Sequence, residues 1–160
     1  MDETIIAPFI KTTHHLFATM LQLEVRVGQP AQKEADAPSY DVSGIISIAG
    51  DVVGSIVLSF REETATRVVS LFTGSEVNEL NDDLCDAIGE LVNMVAGGAK
   101  AQLQGKNCSI STPSVIIGSN HVVHTGGDVV CVSIPCDCDC GEFAIELAVK
   151  TADAPAASAA

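Results

Sequence analysis

The sequence predicts a mixed α/β domain of the α+β type with a mainly antiparallel sheet. Hydrophobic residues make up 47% of the 160 residues and are mostly Val, Ile, Leu and Ala, so the chain can build a core. Two β-branched runs, residues 42–49 and 52–60, are separated only by Gly50-Asp51, which is typical of an antiparallel hairpin. The length suits one domain, and we expect a single domain over residues 1–150.

The remaining elements of the first half follow from their spacing. Apolar residues at helical spacing predict a helix over residues 4–20. Residues 21–27 alternate as in a strand, and residues 31–39 are typical of a polar loop. After the hairpin, residues 61–72 are expected to form a short helix that stops near Gly74.

The longest predicted helix covers residues 82–103. Asn81 or Asp82 can cap its N-terminus. Acidic residues in its first turn interact favourably with the positive end of the helix dipole, and Gly105 is expected to end the helix. Strand patterns and a run of small residues follow the helix. The predicted strands cover residues 113–117, 128–135 and 143–149, and residues 151–160 are expected to form a flexible C-terminal tail.

Charge argues against nucleic acids and anionic membranes as partners, and hydropathy argues against a transmembrane helix. Acidic residues outnumber basic ones 21 to 8, and the formal net charge is -13. Nucleic acids and anionic membranes need clustered Lys and Arg, so neither is an expected partner. The longest apolar stretch, residues 44–60, is interrupted by Asp51 and by Gly and Ser, unlike a transmembrane helix. Met1-Asp2-Glu3 does not begin a secretory signal, so we expect a cytoplasmic protein.

The long helix carries the candidate functional residues. At about 100° per residue, one side collects its large apolar residues and is expected to face the core. These residues are Leu84, Ile88, Leu91, Val92, Val95 and Ala99. The opposite side carries Asp86, Glu90, Asn93 and Gly97, which we call the candidate stripe. Glu90 and Asn93 lie one turn apart and can contact one target together. Gly97 lowers helix stability by about 1 kcal/mol relative to Ala and would let another surface approach the backbone.

The candidate stripe, with its Asp-x3-Glu-x2-Asn-x3-Gly spacing, is similar to the signature of the CheC/CheX/FliY phosphatases of bacterial chemotaxis. Residues 6–10, residues 23–30 and the hairpin also resemble that family, so the resemblance covers about residues 4–150. Only Glu90 is followed three residues later by Asn, and a single signature in a short chain resembles the CheX branch. The resemblance implies a CheC-like two-layer fold, with helices packed on the sheet, and a homodimer.

The resemblance also implies an activity and a partner. The expected reaction is hydrolysis of the aspartyl phosphate of a phosphorylated CheY-like receiver domain. Asn93 would orient the attacking water, which suits an amide because it donates, accepts and stays neutral. Glu90 would pair with the receiver's lysine, and Asp86 and Gly97 would bind the partner. No cofactor of the protein's own is implied, because the response regulator would supply Mg²⁺.

Two other functions stay open at this point. One is a non-catalytic, CheX-like dimeric scaffold that binds a receiver domain. The other is an acidic dimer with a thiol-rich, metal-binding edge, formed by Cys136, Cys138 and Cys140, whose spacing would put the three thiols on one face of a strand. That spacing is unlike structural zinc sites, so three core-facing thiols are the simpler interpretation and no metal site is predicted.

Overall fold

In the part of the chain that the structure describes, eight strands form one antiparallel sheet, and three helices pack on a single face of it. The computed structural model describes residues 1–126 and 128–152. The helices are α1 (Glu3–Leu16), which continues into a π-helical turn (Phe17–Leu21), α2 (Glu62–Thr73) and α3 (Asp82–Gln102). The strands are β1 (Arg26–Val27), β2 (Ala31–Lys33), β3 (Val42–Gly50), β4 (Val52–Phe60), β5 (Cys108–Ile110), β6 (Ser114–Ile117), β7 (Cys131–Cys138) and β8 (Gly141–Thr151).

The order of the sheet is β1-β7-β8-β4-β3-β5, with β2 also pairing with β7 and β6 also pairing with β3. All of the pairings are antiparallel. The predicted hairpin is confirmed, because β3 and β4 pair from Val42 with Phe60 through Ile48 with Gly54. Gly50 has a φ of 118° at the turn, a backbone conformation that favours glycine. The mainly antiparallel α+β fold predicted from the sequence is therefore confirmed.

The hydrophobic core lies between the helices and the facing side of the sheet. Alternate residues of the central strands point into it, as the period of two in a strand requires. Leu58, Phe60, Phe143 and Ile145 are fully buried there. The ring of Phe143 stacks between those of Phe60 and Phe17, with centroid distances of 5.3 and 4.9 Å. These rings join the π-helical turn to the middle of the sheet.

The segment after α1 was predicted incorrectly. Residues 21–27 were expected to form a strand, but the π-helical turn runs to Leu21, Gln22 has a left-handed φ of 54°, and only Arg26–Val27 form a strand. Leu23 and Val25 are buried without pairing in the sheet. Their alternation therefore reflects one-sided burial of an extended segment, which gives the same apolar period as a strand.

Two short edge strands were missed, and one boundary was shifted. Residues 31–39 were expected to be a loop, but Ala31–Lys33 pair with β7 as β2. Cys108–Ile110 form β5, and the strand expected over residues 128–135 is β7, Cys131–Cys138. Edge strands are short and partly polar, so they give a weak sequence pattern. β8 includes Thr151, and residues 153–160 of the expected tail lie outside the described residues.

Candidate active site

Helix α3 presents the candidate stripe, and its position is fixed at its N-terminus and along its apolar side. Asn81 Oδ1 accepts a hydrogen bond from the backbone N–H of Leu84 at 2.9 Å, which satisfies a free donor of the first turn. Every residue predicted to face the core is buried. A Cβ at Gly44 of β3 would lie 2.9 Å from Val92 Cγ1, so the absence of a side chain there lets α3 rest directly on the sheet.

The four stripe residues all lie on the side of α3 that faces away from the core. Asp86 and Glu90 are exposed, while Asn93 and Gly97 are half-buried. Within the described residues, side-chain hydrogen bonds of α3 occur only at its ends, at Asn81 and at Gln102. The carboxylates and the amide of the stripe therefore remain available to a partner molecule.

Two adjacent glycines of α3 have different surroundings. A Cβ at Gly97 would have no neighbouring atom within 4 Å, so this position opens to solvent. A Cβ at Gly98 would lie 2.5 Å from Thr12 Cγ2, because α1 packs against α3 at this point. Gln102 Nε2 donates to Thr12 Oγ1 at 2.8 Å and joins the same two helices. Gly98 therefore serves helix packing, whereas packing gives no reason for a glycine at position 97.

The surface around the stripe is open. The best-formed cleft among the described residues has a volume of about 550 Å³ and lies elsewhere, between α1 and the β2 edge of the sheet, where Ile6, Ile10 and Val132 line it. A small substrate needs an enclosing cleft that removes most of its surface from water. An exposed acid-and-amide stripe on a convex helix suits a macromolecular partner that brings its own pocket.

The three closely spaced cysteines belong to the core. Cys136, Cys138 and Cys140 are buried, which agrees with the core-facing interpretation of their spacing, although Cys140 lies in the turn after β7. Burial raises the pKa of the Cys136 thiol to about 12 and that of the Cys140 thiol to about 11. Metal ligation and nucleophilic attack both require the thiolate, so Cys136 and Cys140 are poorly suited to either role.

The described part of the chain provides neither a clustered metal site nor a membrane-spanning helix. It contains no group of three or more His, Cys, Asp or Glu side chains placed to hold a metal ion. None of its helices combines the length and the apolar character needed to cross a bilayer.

A buried polar cluster on the other face of the sheet was missed by sequence reasoning. Lys33 Nζ and Ser39 Oγ donate to the two carboxylate oxygens of Glu146, each at 2.9 Å. Nearby, Ser43 Oγ lies 2.8 Å from His121 Nε2. A serine beside an imidazole is also the geometry of a hydrolase nucleophile, but Ser43 is 0% exposed and substrate cannot reach it. The cluster holds residues 33–41 and His121 against the sheet.

Fold and site together define a class of protein. A CheC-like superfamily protein from Shewanella sp. PV-4 superposes with a TM-score of 0.86 and 29% identity, covering 94% of this chain and 99% of that chain. The CheX component of a CheX–CheY–BeF3–Mg²⁺ complex from Borrelia burgdorferi shares the fold, with a TM-score of 0.71 at 23% identity over 91% of this chain and 97% of that chain. The CheC-like two-layer fold implied by the sequence resemblance is confirmed.

Sequence comparison narrows the class further. Residues 42–137 match the family described as chemotaxis phosphatase CheX. A CheY-P phosphatase CheX from Thermotoga maritima is 30% identical over 154 residues, which cover 94% of this chain and 99% of that protein. The chain therefore belongs to the chemotaxis phosphatase CheX family, as the candidate stripe had indicated.

Proposed function

We propose that this protein is a phosphatase that hydrolyses the aspartyl phosphate of a CheY-like response regulator, and that Asn93 and Glu90 are its catalytic residues. One observation carries the assignment of residues. In a CheX-family chain, the amide of Asn93 and the carboxylate of Glu90 lie one turn apart on the exposed side of α3, with no hydrogen bond within the described residues.

The reaction requires little covalent chemistry from the protein. Water attacks the phosphorus in line with the bond to the aspartate oxygen, that bond breaks, and the aspartate carboxylate and inorganic phosphate are released. Catalysis of phosphoryl transfer rests on positioning and charge stabilisation. Asn93 Oδ1 can accept a hydrogen bond from the attacking water and so hold it in line. The amide stays neutral and therefore does not repel the phosphoryl group as a carboxylate would.

Glu90 completes the site by holding the partner. Its carboxylate would pair with the active-site lysine of the receiver, which fixes the register between the two proteins. Asp86, one turn before Glu90, would contact the partner. Gly97, one turn after Asn93, would let the receiver surface approach the helix backbone.

The same proposal assigns the metal to the partner. A CheX from Borrelia burgdorferi was crystallised with CheY, BeF3 and Mg²⁺, which supports the view that the magnesium ion enters with the regulator. The predicted homodimer and the predicted cytoplasmic location remain parts of the proposal. A scaffold that only binds a receiver would not need the amide, so variants of Asn93 separate the two functions.

Phosphate release from a phosphorylated CheY-type receiver tests the proposal. We expect Asn93→Ala to lower kcat by about 100-fold, the scale expected when a reacting group is misplaced, with receiver affinity retained. Glu90→Ala is expected to raise KM and also lower kcat. Asn78→Ala, which removes an exposed amide from a loop, is the matched control and should retain the parent rate. An Asn93→Ala protein with the parent kcat would refute the catalytic assignment.

A further inference from the structure

A short segment packs beside α3 at Gly89, one turn before Asn93. We call it the 111–113 rim, after Ser111, Thr112 and Pro113, which join β5 to β6. Pro113 packs against α3 where Gly89 has no side chain, since a Cβ there would lie 3.3 Å from Pro113 Cγ. Gly89 precedes Asn93 by four residues and lies on the same flank, about 6 Å away along the helix axis.

The rim is held in place from below. The backbone N–H of Ser111 donates to the Ser47 carbonyl at 2.9 Å, and the backbone N–H of Ser47 donates to Ser111 Oγ at 2.9 Å. Ser111 Oγ in turn donates to the Thr112 carbonyl at 2.9 Å. These bonds tie the rim to β3, which pairs with β4 in the sheet. Thr112 is exposed, and its hydroxyl makes no hydrogen bond within the described residues.

The size of a protein interface requires contacts beyond the stripe. A specific complex buries about 800 Å² on each partner, which is more than four residues of one helix can supply. Asn93 lies about 40° around the helix from Gly89, which marks the flank that faces the rim. Asn93 lies about 100° from Met94, which is on the opposite flank. A partner whose pocket receives Asn93 therefore lies within reach of the 111–113 rim.

We propose that the 111–113 rim is a second docking element for the phosphorylated receiver and that Thr112 is a specificity-determining residue. Gly89 is a positioning residue in this arrangement, because it sets how closely the rim lies to Asn93. The inference rests on the proposed function, since it takes the receiver as the partner at α3. It adds a contact surface that begins 14 residues after Gly97, the last residue of the signature.

Binding measurements separate this inference from catalysis. The probe is a CheY-type receiver loaded with beryllofluoride and Mg²⁺, titrated against the full chain. Thr112→Arg and Thr112→Asp each place a charged group at the rim. We expect at least one of the two variants to bind the receiver about five- to tenfold more weakly than the parent. Gln32→Arg places the same added charge at the opposite, β2 edge of the sheet and should leave the Kd unchanged.

A second variant tests the position of the rim. In Gly89→Ala the new methyl group would contact Pro113 and push the rim outward by a few tenths of an ångström, so a smaller loss of affinity is expected. If both Thr112 variants bind with the parent Kd, the inference is wrong, whatever their rates of phosphate release. If they weaken binding while Asn93→Ala hydrolyses at the parent rate, the docking surface stands and the catalytic assignment fails.

Discussion

Replacing Gly97 with alanine should stabilise the protein and impair its activity. The added Cβ would meet no atom within 4 Å, so the substitution costs nothing in packing. Glycine in a helix interior is less stable than alanine by about 1 kcal/mol. For a chain of this size, that gain corresponds to a Tm increase of about 2–4 °C. Thermal unfolding followed by circular dichroism measures it directly.

In the proposed complex, the same methyl group would stand where the receiver approaches α3. If the receiver lies in van der Waals contact with the helix backbone at Gly97, the methyl displaces it, and a 1 Å error in a reacting geometry can cost about 100-fold in rate. We therefore expect kcat/KM for phosphate release to fall at least about tenfold in Gly97→Ala. A stabilised variant with the parent kcat/KM would refute the argument that this glycine provides clearance.

Gly98 supplies a matched control one residue away. A Cβ at this position would lie 2.5 Å from Thr12 Cγ2, in the contact between α1 and α3. Overpacking of this kind costs about 1–3 kcal/mol, which outweighs the gain in helix propensity. Gly98→Ala should therefore lower the Tm, opposite in sign to Gly97→Ala. The two variants together separate the helix propensity of alanine from its effect on packing.

Three further predictions concern stability. Burial raises the pKa of Cys136 from 9.0 to about 12, so the thiol ionises at a lower pH in the unfolded chain than in the folded one. Stability therefore falls as the pH rises above 9. Cys136→Ala should flatten the dependence of Tm on pH between 9 and 11. Lys33→Met leaves the Glu146 carboxylate buried without its cation and should cost about 3–5 kcal/mol in urea unfolding, whereas Lys33→Met with Glu146→Leu should cost less. Asn81→Ala removes the N-cap of α3 and should cost about 1 kcal/mol in the same assay.

The features that the sequence predicts well are those set by local periodicity. The apolar side of α3 follows from the helical repeat, and every residue assigned to it is buried. The β3–β4 hairpin follows from two β-branched runs and a short turn. Asn81 was one of two candidate caps, and it is the residue that caps the helix. The position of the stripe on the outer side of α3 follows from the same repeat, because the side opposite the core faces solvent.

The features that the sequence does not predict depend on contacts between distant segments. Lys33 lies in a polar run, and its partner Glu146 is 113 residues further along the chain. β2 and β5 have only three residues each, too few to show a period. The contact between Gly89 and Pro113 exists only because β6 pairs with β3 beneath α3. No local pattern marks such a contact.

The chemistry of the proposed site and its open shape have a common origin. An aspartyl phosphate stays within its own receiver domain, so the phosphatase must reach into another protein's pocket and cannot enclose the substrate. A short side chain on a convex helix does this only if the surrounding surface lets the receiver come close. Gly97 leaves open space one turn after Asn93, and the 111–113 rim stands beside the turn before it. In the proposed site, the neighbours of Asn93 would therefore set the depth at which its amide meets the attacking water, and phosphoryl transfer depends on such positioning.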